Sequence, residues 1–117
     1  MPYINTVTPK KITPQQQENI RKALGRALLK IAGKGDDWLM LSFQDEVDMS
    51  FHGQESDTLA YIELKLVGVL TPGQKKQLVE EIGHIYENEL GIPTNKSYIV
   101  IFEVSGANWG WNGGTFG

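Results

Sequence analysis

Pro2 has the most distinctive chemical potential in the chain, because it follows Met1 and opens a predicted strand. Removal of Met1 would leave the proline nitrogen as a secondary amine at the amino terminus. The reference pKa of an α-amino group is about 7.7–8.0, and an apolar pocket that also contains a cation would lower it. The dipeptide is thus consistent with a catalytic amine that is unprotonated at neutral pH. It also fits an ordinary strand start, where proline costs no ladder hydrogen bond.

Other residue types exclude several kinds of site. The chain has Cys 0, which rules out thiol catalysis and thiolate metal sites. His52 and His84 are the only histidines, and neither has a ligand partner at helical or strand spacing. Gly33 and Lys34 lack the flanking residues of a phosphate-binding loop. We expect no metal ion and no other cofactor.

Acidic side chains occur in three adjacent pairs. Neighbouring residues point in different directions, so the two members of a pair make poor general acid/base partners. We expect solvated surface for all three pairs, which are Asp36–Asp37, Asp45–Glu46 and Glu80–Glu81.

Composition indicates one soluble domain over residues 1–117, with 40% hydrophobic and 21% charged residues. The formal net charge of -3 and the interspersed basic residues argue against nucleic acid and anionic membranes as partners. No apolar run is long enough for a membrane span, and the first residues do not resemble a signal peptide. We expect a cytoplasmic protein, with non-classical secretion left open.

An internal repeat at an offset of 58 residues organises the chain. Both copies combine a Thr N-cap, a Pro at the first helical position and a Gly at the helix end. The repeated residues are Thr13, Pro14, Gln16, Gly25 and Gly33 in the first copy and Thr71, Pro72, Gln74, Gly83 and Gly91 in the second. Apolar stripes at helical spacing follow each cap: Ile20, Leu24, Leu28 and Ile31, then Leu78, Ile82, Ile85 or Tyr86, and Leu90.

Predicted strands flank each helix. They cover Pro2 to Val7, Trp38 to Phe43, Thr58 to Val67 and Tyr98 to Val104, with short extra strands near Met49 to Phe51 and in the tail. The order is β-α-β twice, and each crossover over one helix makes its two strands parallel. The predicted fold class is therefore α+β: two β-α-β repeats form a four-stranded sheet with both helices on one face.

Two of these strands predict self-association. Residues 38–43 and 98–102 are apolar at almost every position, so both faces of each strand require cover. Two helices cover one face only. Further copies of the chain are the economical cover for the other face, and an unrelated protein is the less favoured one.

The tail from Ala107 to Phe116, with the sequence ANWGWNGGTF, resembles that of the macrophage migration inhibitory factor family in the tautomerase superfamily. The resemblance extends through the chain in family order: Pro2 opening a strand, Gly33–Lys34 after the first helix, Val67–Gly68, and Gly91–Ile92–Pro93 before Tyr98. It implies a homotrimer in which three sheets enclose a central barrel.

The resemblance also implies an activity, the keto–enol tautomerisation of arylpyruvates, and a small aromatic 2-oxo acid as substrate. Pro2 would carry the proton as the catalytic acid/base. Lys34 would hold the carboxylate or carbonyl, and the backbone N–H of Val67 would add a hydrogen bond. Tyr98 from the neighbouring subunit would line the pocket beside Trp109, Trp111 and Phe116, and Lys65 would supply a second cation at the pocket mouth.

Each implied role has an alternative. Lys34 is also favourable simply as a cation at a helix C-terminus, and Lys65 as an exposed strand lysine. The aromatic residues Tyr98, Trp109 and Trp111 also suit trimer packing, and Phe116 suits a tail anchor. For the whole protein, the alternative is a non-catalytic, cytokine-like signalling protein with a receptor partner on the same fold.

The sequence also departs from the family pattern. Val100 stands where cytokine members carry a pocket asparagine, which loses one polar contact to the substrate's distal hydroxyl. Trp38 replaces a tyrosine at the rim.

Overall fold

Two long helices and four long strands form the body of the protein, for which a computed structural model describes residues 1–117. In chain order the elements are β1 (Pro2–Val7), α1 (Pro14–Ala32), β2 (Met40–Gln44), β3 (Ser50–Phe51), β4 (Gln54–Glu55), β5 (Ala60–Val67), α2 (Pro72–Leu90), β6 (Ser97–Val104), β7 (Gly110–Trp111) and β8 (Gly114–Thr115). A 3₁₀ turn precedes each of β2 and β6, at Asp36–Trp38 and Thr94–Lys96.

Both helices begin and end as the repeat predicts. The Thr13 hydroxyl accepts from the Gln16 backbone N–H, and the Gln16 side chain accepts from the Thr13 N–H, which completes a capping box. Thr71 and Gln74 form the same box at α2. Gly33 ends α1 in the left-handed region at φ 65, where glycine has no Cβ penalty. The local signals alone therefore fix the bounds of these helices.

The main sheet has the strand order β2-β1-β5-β6. β1 runs parallel to β2, β5 runs parallel to β6, and the central β1–β5 pair is antiparallel. The prediction of two parallel crossovers in one four-stranded sheet is confirmed, and so is the α+β class. β2 and β6 are the two edge strands.

Equivalent hydrogen bonds in the two halves show that the repeat is structural. In the first half the Ile12 N–H donates to Asp45 Oδ2 at 2.9 Å, and in the second the Leu70 N–H donates to Glu103 Oε2 at 2.7 Å. Each carboxylate therefore tethers the segment that precedes a helix. A hydrogen bond from Lys75 and the Leu70 N–H hold the pKa of Glu103 below its usual value.

The core lies between the helices and one face of the sheet. Alternate residues of β1 and β5 point into it, and the helices contribute the predicted stripes. Of Ile85 and Tyr86, Tyr86 is the buried one, and its hydroxyl makes a hydrogen bond to the buried Thr6. Burial raises the pKa of Tyr86 well above its usual value. No helix is both long and apolar enough to cross a membrane.

The apolar edge strands lack cover within one subunit, as predicted. Met40 at the start of β2 is 67% exposed, and Tyr98 on β6 is 61% exposed. The predicted start of β2 at Trp38 was two residues early, because Asp36 accepts a hydrogen bond from the Leu39 N–H and closes the 3₁₀ turn. The predicted start of β5 at Thr58 was also two residues early, since Ala60 is its first paired residue.

Candidate active site

Pro2 lies buried at one edge of the central strand pair and opens onto a cleft. It is the first residue of β1 and pairs with Leu66 near the end of β5. The cleft has a volume of about 490 Å³, and Met1 and Tyr3 line it together with Pro2. The predicted acid/base therefore has open space beside it.

All three tryptophans of the chain line this cleft. Trp38 comes from the 3₁₀ turn before β2. Trp111 lies on β7 of the tail hairpin, which β7 and β8 form, and Trp109 immediately precedes it. The rings of Trp38 and Trp111 meet edge to face, with centroids 4.9 Å apart and planes at 81°. Edge-to-face contact is one of the favoured arrangements of aromatic pairs. The tail thus supplies part of the apolar wall that was expected of it.

Gly106 holds the tail in place by allowing two backbone segments to meet. Its carbonyl accepts hydrogen bonds from the Trp109 N–H at 3.2 Å and the Phe116 N–H at 3.0 Å. A Cβ at Gly106 would lie 2.7 Å from the Phe116 carbonyl oxygen, closer than atoms of this kind approach. Only glycine fits here, and its hydrogen bonds fix the hairpin that carries the tryptophans.

Lys34 leaves α1 directly after the left-handed Gly33 and extends toward the end of β5. Its Nζ donates a hydrogen bond of 3.0 Å to the carbonyl oxygen of Val67. The predicted pair of Lys34 and Val67 is therefore together in space. The Lys34 side chain therefore bonds to β5 and not to the carbonyls at the end of α1. This contact differs from the alternative in which Lys34 serves only as a cation at the C-terminus of its helix.

The amino terminus lies within the field of Lys34. Burial, and then the positive charge of Lys34, lower the pKa of the Met1 ammonium below its ordinary value of 8.0. Both causes disfavour the protonated amine. The electrostatic environment that was expected around an N-terminal base is thus present at this end of β1.

Tyr98 lies at the far end of the sheet from Pro2 in the same subunit. It pairs with Tyr61, whereas Pro2 pairs with Leu66, so five positions of β5 separate them, or roughly 17 Å. Its ring meets Phe51 of β3 edge to face at 5.3 Å. A Tyr98 that serves the cleft must come from another copy of the chain.

Lys65 and Phe116 do not line the cleft of their own subunit. Lys65 lies on the sheet face away from the helices, with Nζ 3.6 Å from Glu63 Oε2 and 5.3 Å from the centre of the Phe102 ring. Phe116 is 41% exposed and follows the tail hairpin. Their binding roles remain predictions.

Among the cleft residues that were not predicted as site residues are Asp37, Tyr3 and Met40. Asp37 lines the cleft beside Trp38 and is exposed, as expected of the solvated acidic pairs. Tyr3 and Met40 also line it, as paired residues of β1 and β2. The parallel pairing of β1 with β2 was predictable and would have placed Met40 near Pro2. No local signal distinguishes Asp37 from Asp36.

The whole chain, residues 1–117, matches the family described as Macrophage migration inhibitory factor (MIF). The chain belongs to the MIF family. A macrophage migration inhibitory factor from Xenopus laevis is 32% identical over 93 residues, which is 80% of each chain. The crystal structure of Leishmania major MIF2 aligns with a TM-score of 0.90 at 28% identity, covering 99% of this chain and 97% of that one.

The fold extends beyond the MIF family. A fused 4-OT protein described as a wild type symmetric trimer aligns with a TM-score of 0.84 at 18% identity, over 96% of this chain and 93% of that one. At this identity the likeness concerns the fold alone. The two-helix, four-stranded architecture is thus shared by proteins of widely different sequence.

Val100 is the position at which the sequence departs from the asparagine of the cytokine members. Val100 pairs with Glu63 and lies two residues beyond Tyr98 on β6, so both point to the same face of the sheet. If Tyr98 reaches the cleft of a neighbouring subunit, Val100 would lie beside it and present an apolar side chain. The loss of a polar contact at this position remains a prediction.

Proposed function

We propose that this protein is a keto–enol tautomerase of arylpyruvates in which Pro2, freed by removal of Met1, is the catalytic acid/base. The observation that carries the proposal is the buried Pro2 in an indole-lined cleft, next to a Met1 amine whose pKa is lowered by burial and by Lys34. The open cleft favours catalysis over a purely signalling role on the same fold.

The reaction needs one group that takes and returns a proton. In the ketone-to-enol direction, the free amine of Pro2 removes a proton from the carbon next to the carbonyl, and the C–H electron pair forms the C=C bond of the enolate. The resulting ammonium then gives this proton to the enolate oxygen. No atom is gained or lost. An amine whose pKa lies near the working pH suits both steps.

Lys34 and Val67 act on the charges of the substrate in this proposal. The Lys34 ammonium holds the substrate carboxylate or carbonyl where negative charge develops, and the backbone N–H of Val67 donates a further hydrogen bond. The Lys34–Val67 contact of 3.0 Å keeps the ammonium at this end of β5 before substrate arrives. Trp109 and Trp111 pack against the aromatic ring.

The complete site in this proposal needs a homotrimer that encloses a central barrel. Exposed apolar residues on both edge strands require cover, and Tyr98 is too far from Pro2 within one subunit to share its cleft. A neighbour that pairs edge to edge brings its Tyr98, and with it Lys65 or Phe116, toward the cleft. Light scattering at micromolar concentration should give three times the mass of a single chain, which is 13.1 kDa. A monomer would contradict the assembly.

The decisive experiment follows conversion of enol-phenylpyruvate to the ketone with protein whose Met1 removal is verified by mass spectrometry. Pro2→Gly should lower kcat by about 10²–10⁴-fold, the usual contribution of a positioned acid/base. Pro14→Gly is the matched control, because Pro14 is at the first position of α1 and does not line the cleft. Equal rates for native protein and Pro2→Gly would remove Pro2 from the mechanism.

A further inference from the structure

We infer that Phe51 is a positioning residue, whose ring holds Tyr98 where Tyr98 can line the cleft of a neighbouring subunit. The inference rests on the proposed function for the assembly, because Tyr98 is too far from Pro2 of its own subunit to share that cleft. It adds a role for the β3–β4 hairpin, to which neither the sequence nor the family resemblance gave one.

Tyr98 has little packing of its own within the subunit. It lies on the helix-free face of edge strand β6, beside its partner Tyr61, and is 61% exposed. The Phe51 ring meets the Tyr98 ring edge to face, with centroids 5.3 Å apart and planes at 86°. An exposed side chain that a ligand must order costs binding free energy. Contact with Phe51 orders Tyr98 before the ligand arrives.

The β3–β4 hairpin fixes Phe51 itself. Phe51 pairs with Gln54, and the turn between them consists of His52 and Gly53. Both turn residues have positive φ, 57° and 72°, as in the two-residue turns whose twist matches that of hairpin strands. The His52 ring also meets the Phe51 ring edge to face, with centroids 5.3 Å apart. Phe51 is thus held through its backbone and through its ring.

The tail hairpin supports an aromatic ring in the same way. Trp111 precedes a two-residue turn whose φ values, 51° and 78°, are also positive. Its ring meets the Trp38 ring edge to face at 4.9 Å, as the Phe51 ring meets that of Tyr98. In the assembly that we propose, the Pro2 cleft would have two walls of like construction. Its own tail hairpin supports Trp38, and the neighbour's β3–β4 hairpin supports Tyr98.

Three substitutions at Phe51 test the contact in Met1-removed protein. Phe51→Ala should raise KM for enol-phenylpyruvate by about three- to tenfold, the range expected when an aromatic contact that orders a side chain is lost. The change in kcat should be smaller, because Pro2 and Lys34 are untouched. Phe51→Tyr keeps the ring and should restore the native KM. Phe51→Leu fills similar space without a ring, should give an intermediate KM, and carries the same test if the alanine variant does not assemble.

Gln54→Ala is the matched control for these variants. Gln54 stands opposite Phe51 in the hairpin and does not line the small pocket that contains Tyr98. The control should therefore leave KM unchanged. A KM raised equally by Gln54→Ala and Phe51→Ala would reduce the effect to hairpin stability and overturn the inference.

Double variants show whether Phe51 acts through Tyr98. The probe is 3-phenylpropanoate, which has no ketone and cannot tautomerise. Quenching of tryptophan fluorescence reports its binding, because all three tryptophans line the cleft. Phe51→Ala should weaken binding several-fold in the native background and add little in a Tyr98→Ala background. Effects of the two substitutions that simply add would overturn the inference.

Mixed trimers identify the subunit on which Phe51 acts. Phe51→Ala chains are co-expressed with differently tagged Pro2→Gly chains, and trimers with one chain of the first kind and two of the second are isolated. The only intact Pro2 then lies in the chain that lacks Phe51, while both neighbours carry native Phe51 and Tyr98. We expect the native KM. A KM as high as that of the Phe51→Ala homotrimer would place the effect within one subunit and overturn the inference.

Failure of the inference and failure of the proposed function give different results. Native protein without phenylpyruvate turnover contradicts the tautomerase, while binding of 3-phenylpropanoate to the double variants still tests the contact. Turnover that depends on Pro2 and not on Phe51 contradicts the positioning role alone. A monomeric protein would overturn the inference, because no neighbour would then present Tyr98 to the cleft.

Discussion

The first β-α-β half and the second share a backbone plan, yet their equivalent ends differ in chemistry. At the offset of 58 residues, Pro2, Tyr3, Trp38 and Met40 of the first half correspond to Ala60, Tyr61, Lys96 and Tyr98 of the second. Both sets line a pocket at the start of their own strand pair, one of about 490 Å³ and one of about 90 Å³.

The small pocket has no terminal amine, and its one basic side chain is that of Lys96. Ala60 is an internal residue, so its nitrogen is an amide without a basic lone pair, and the position equivalent to Lys34 is Ile92, which is buried. Phe51 packs on Tyr98 in this half, whereas a tail tryptophan packs on Trp38 in the first. The comparison shows that the repeat builds two similar backbone frames, and that a few side chains and the amino terminus make only one of them a candidate for the proposed proton chemistry.

The largest expected effect comes from making Pro2 an amide like Ala60. Retention of Met1 removes the basic lone pair of the proline nitrogen, and Met1 itself lines the cleft. Tautomerase activity should fall by about 10²–10⁴-fold. The melting temperature should change little, because proline keeps its φ and has no ladder N–H to lose. Mass spectrometry paired with the phenylpyruvate assay checks this, and full activity in wholly Met1-retained protein would contradict it.

Lys34→Ala makes the two halves more alike, because it places an apolar residue at the position that Ile92 occupies in the second half. Loss of a charge-assisted hydrogen bond of about 1.5–3 kcal/mol should raise KM for phenylpyruvate by tenfold or more. Folding should change little.

The same variant should shift the pH profile. Burial first and the charge of Lys34 second lower the pKa of the Met1 ammonium. We expect the same charge to act on the Pro2 amine that removal of Met1 exposes, so its loss should raise the pKa of that amine. The rise of activity with pH, which follows formation of the free base, should then occur at higher pH. Lys22→Ala is the control, because Lys22 lies beside Glu18 on α1 and does not contribute to the lowered pKa of the amino terminus. A profile that moves equally in both variants would refute the local role of Lys34.

The equivalent glycines Gly25 and Gly83 allow a test of how closely each helix packs against the 3₁₀ turn that follows it. A Cβ at Gly25 would lie 2.7 Å from Asp36 Cβ, in the 3₁₀ turn that carries Trp38, whereas a Cβ at Gly83 would meet Thr94 Cγ2 at an ordinary 3.4 Å. Gly25→Ala should destabilise by about 1–2 kcal/mol, since overpacking outweighs the helix-propensity gain. Gly83→Ala should be neutral or stabilise by up to about 1 kcal/mol.

Thermal unfolding measures both glycine variants. Gly25→Ala should also raise KM, because the displaced turn forms one side of the cleft, and Gly83→Ala should leave KM unchanged. A higher melting temperature for Gly25→Ala would show that the turn can move without cost.

An effect similar to that of Gly25→Ala is expected in the core, where buried Tyr86 occupies the position equivalent to Leu28. Tyr86→Phe leaves the buried Thr6 hydroxyl without its partner, which costs about 1–2 kcal/mol. Tyr61→Phe is the control, because the Tyr61 hydroxyl makes no side-chain hydrogen bond within the subunit. Urea unfolding should separate the two variants, and equal stabilities would contradict the contribution of the Thr6 contact.

The sequence by itself determined the helices, the parallel direction of the two strand pairs that flank them, and the family. Thr13 and Thr71 with their capping boxes, and Gly33 and Gly91 at the helix ends, are local signals that act over a few residues. The crossover rule then makes each flanking pair of strands parallel whatever the details of packing. Pro2, Lys34 and the tail tryptophans were identifiable because a terminal position and a motif of ten residues are visible without a structure.

Only the tertiary structure decided which residues surround Pro2. The cleft joins the chain start, the turn near residue 37 and the tail near residue 110, so its lining depends on contacts between distant segments. Asp36 and Asp37 look alike in sequence. Asp36 approaches Gly25 closely, so the 3₁₀ turn packs against α1 at this residue. Asp37, one residue later, lines the cleft beside Trp38. Packing of this kind follows from long-range geometry, which a local pattern does not encode.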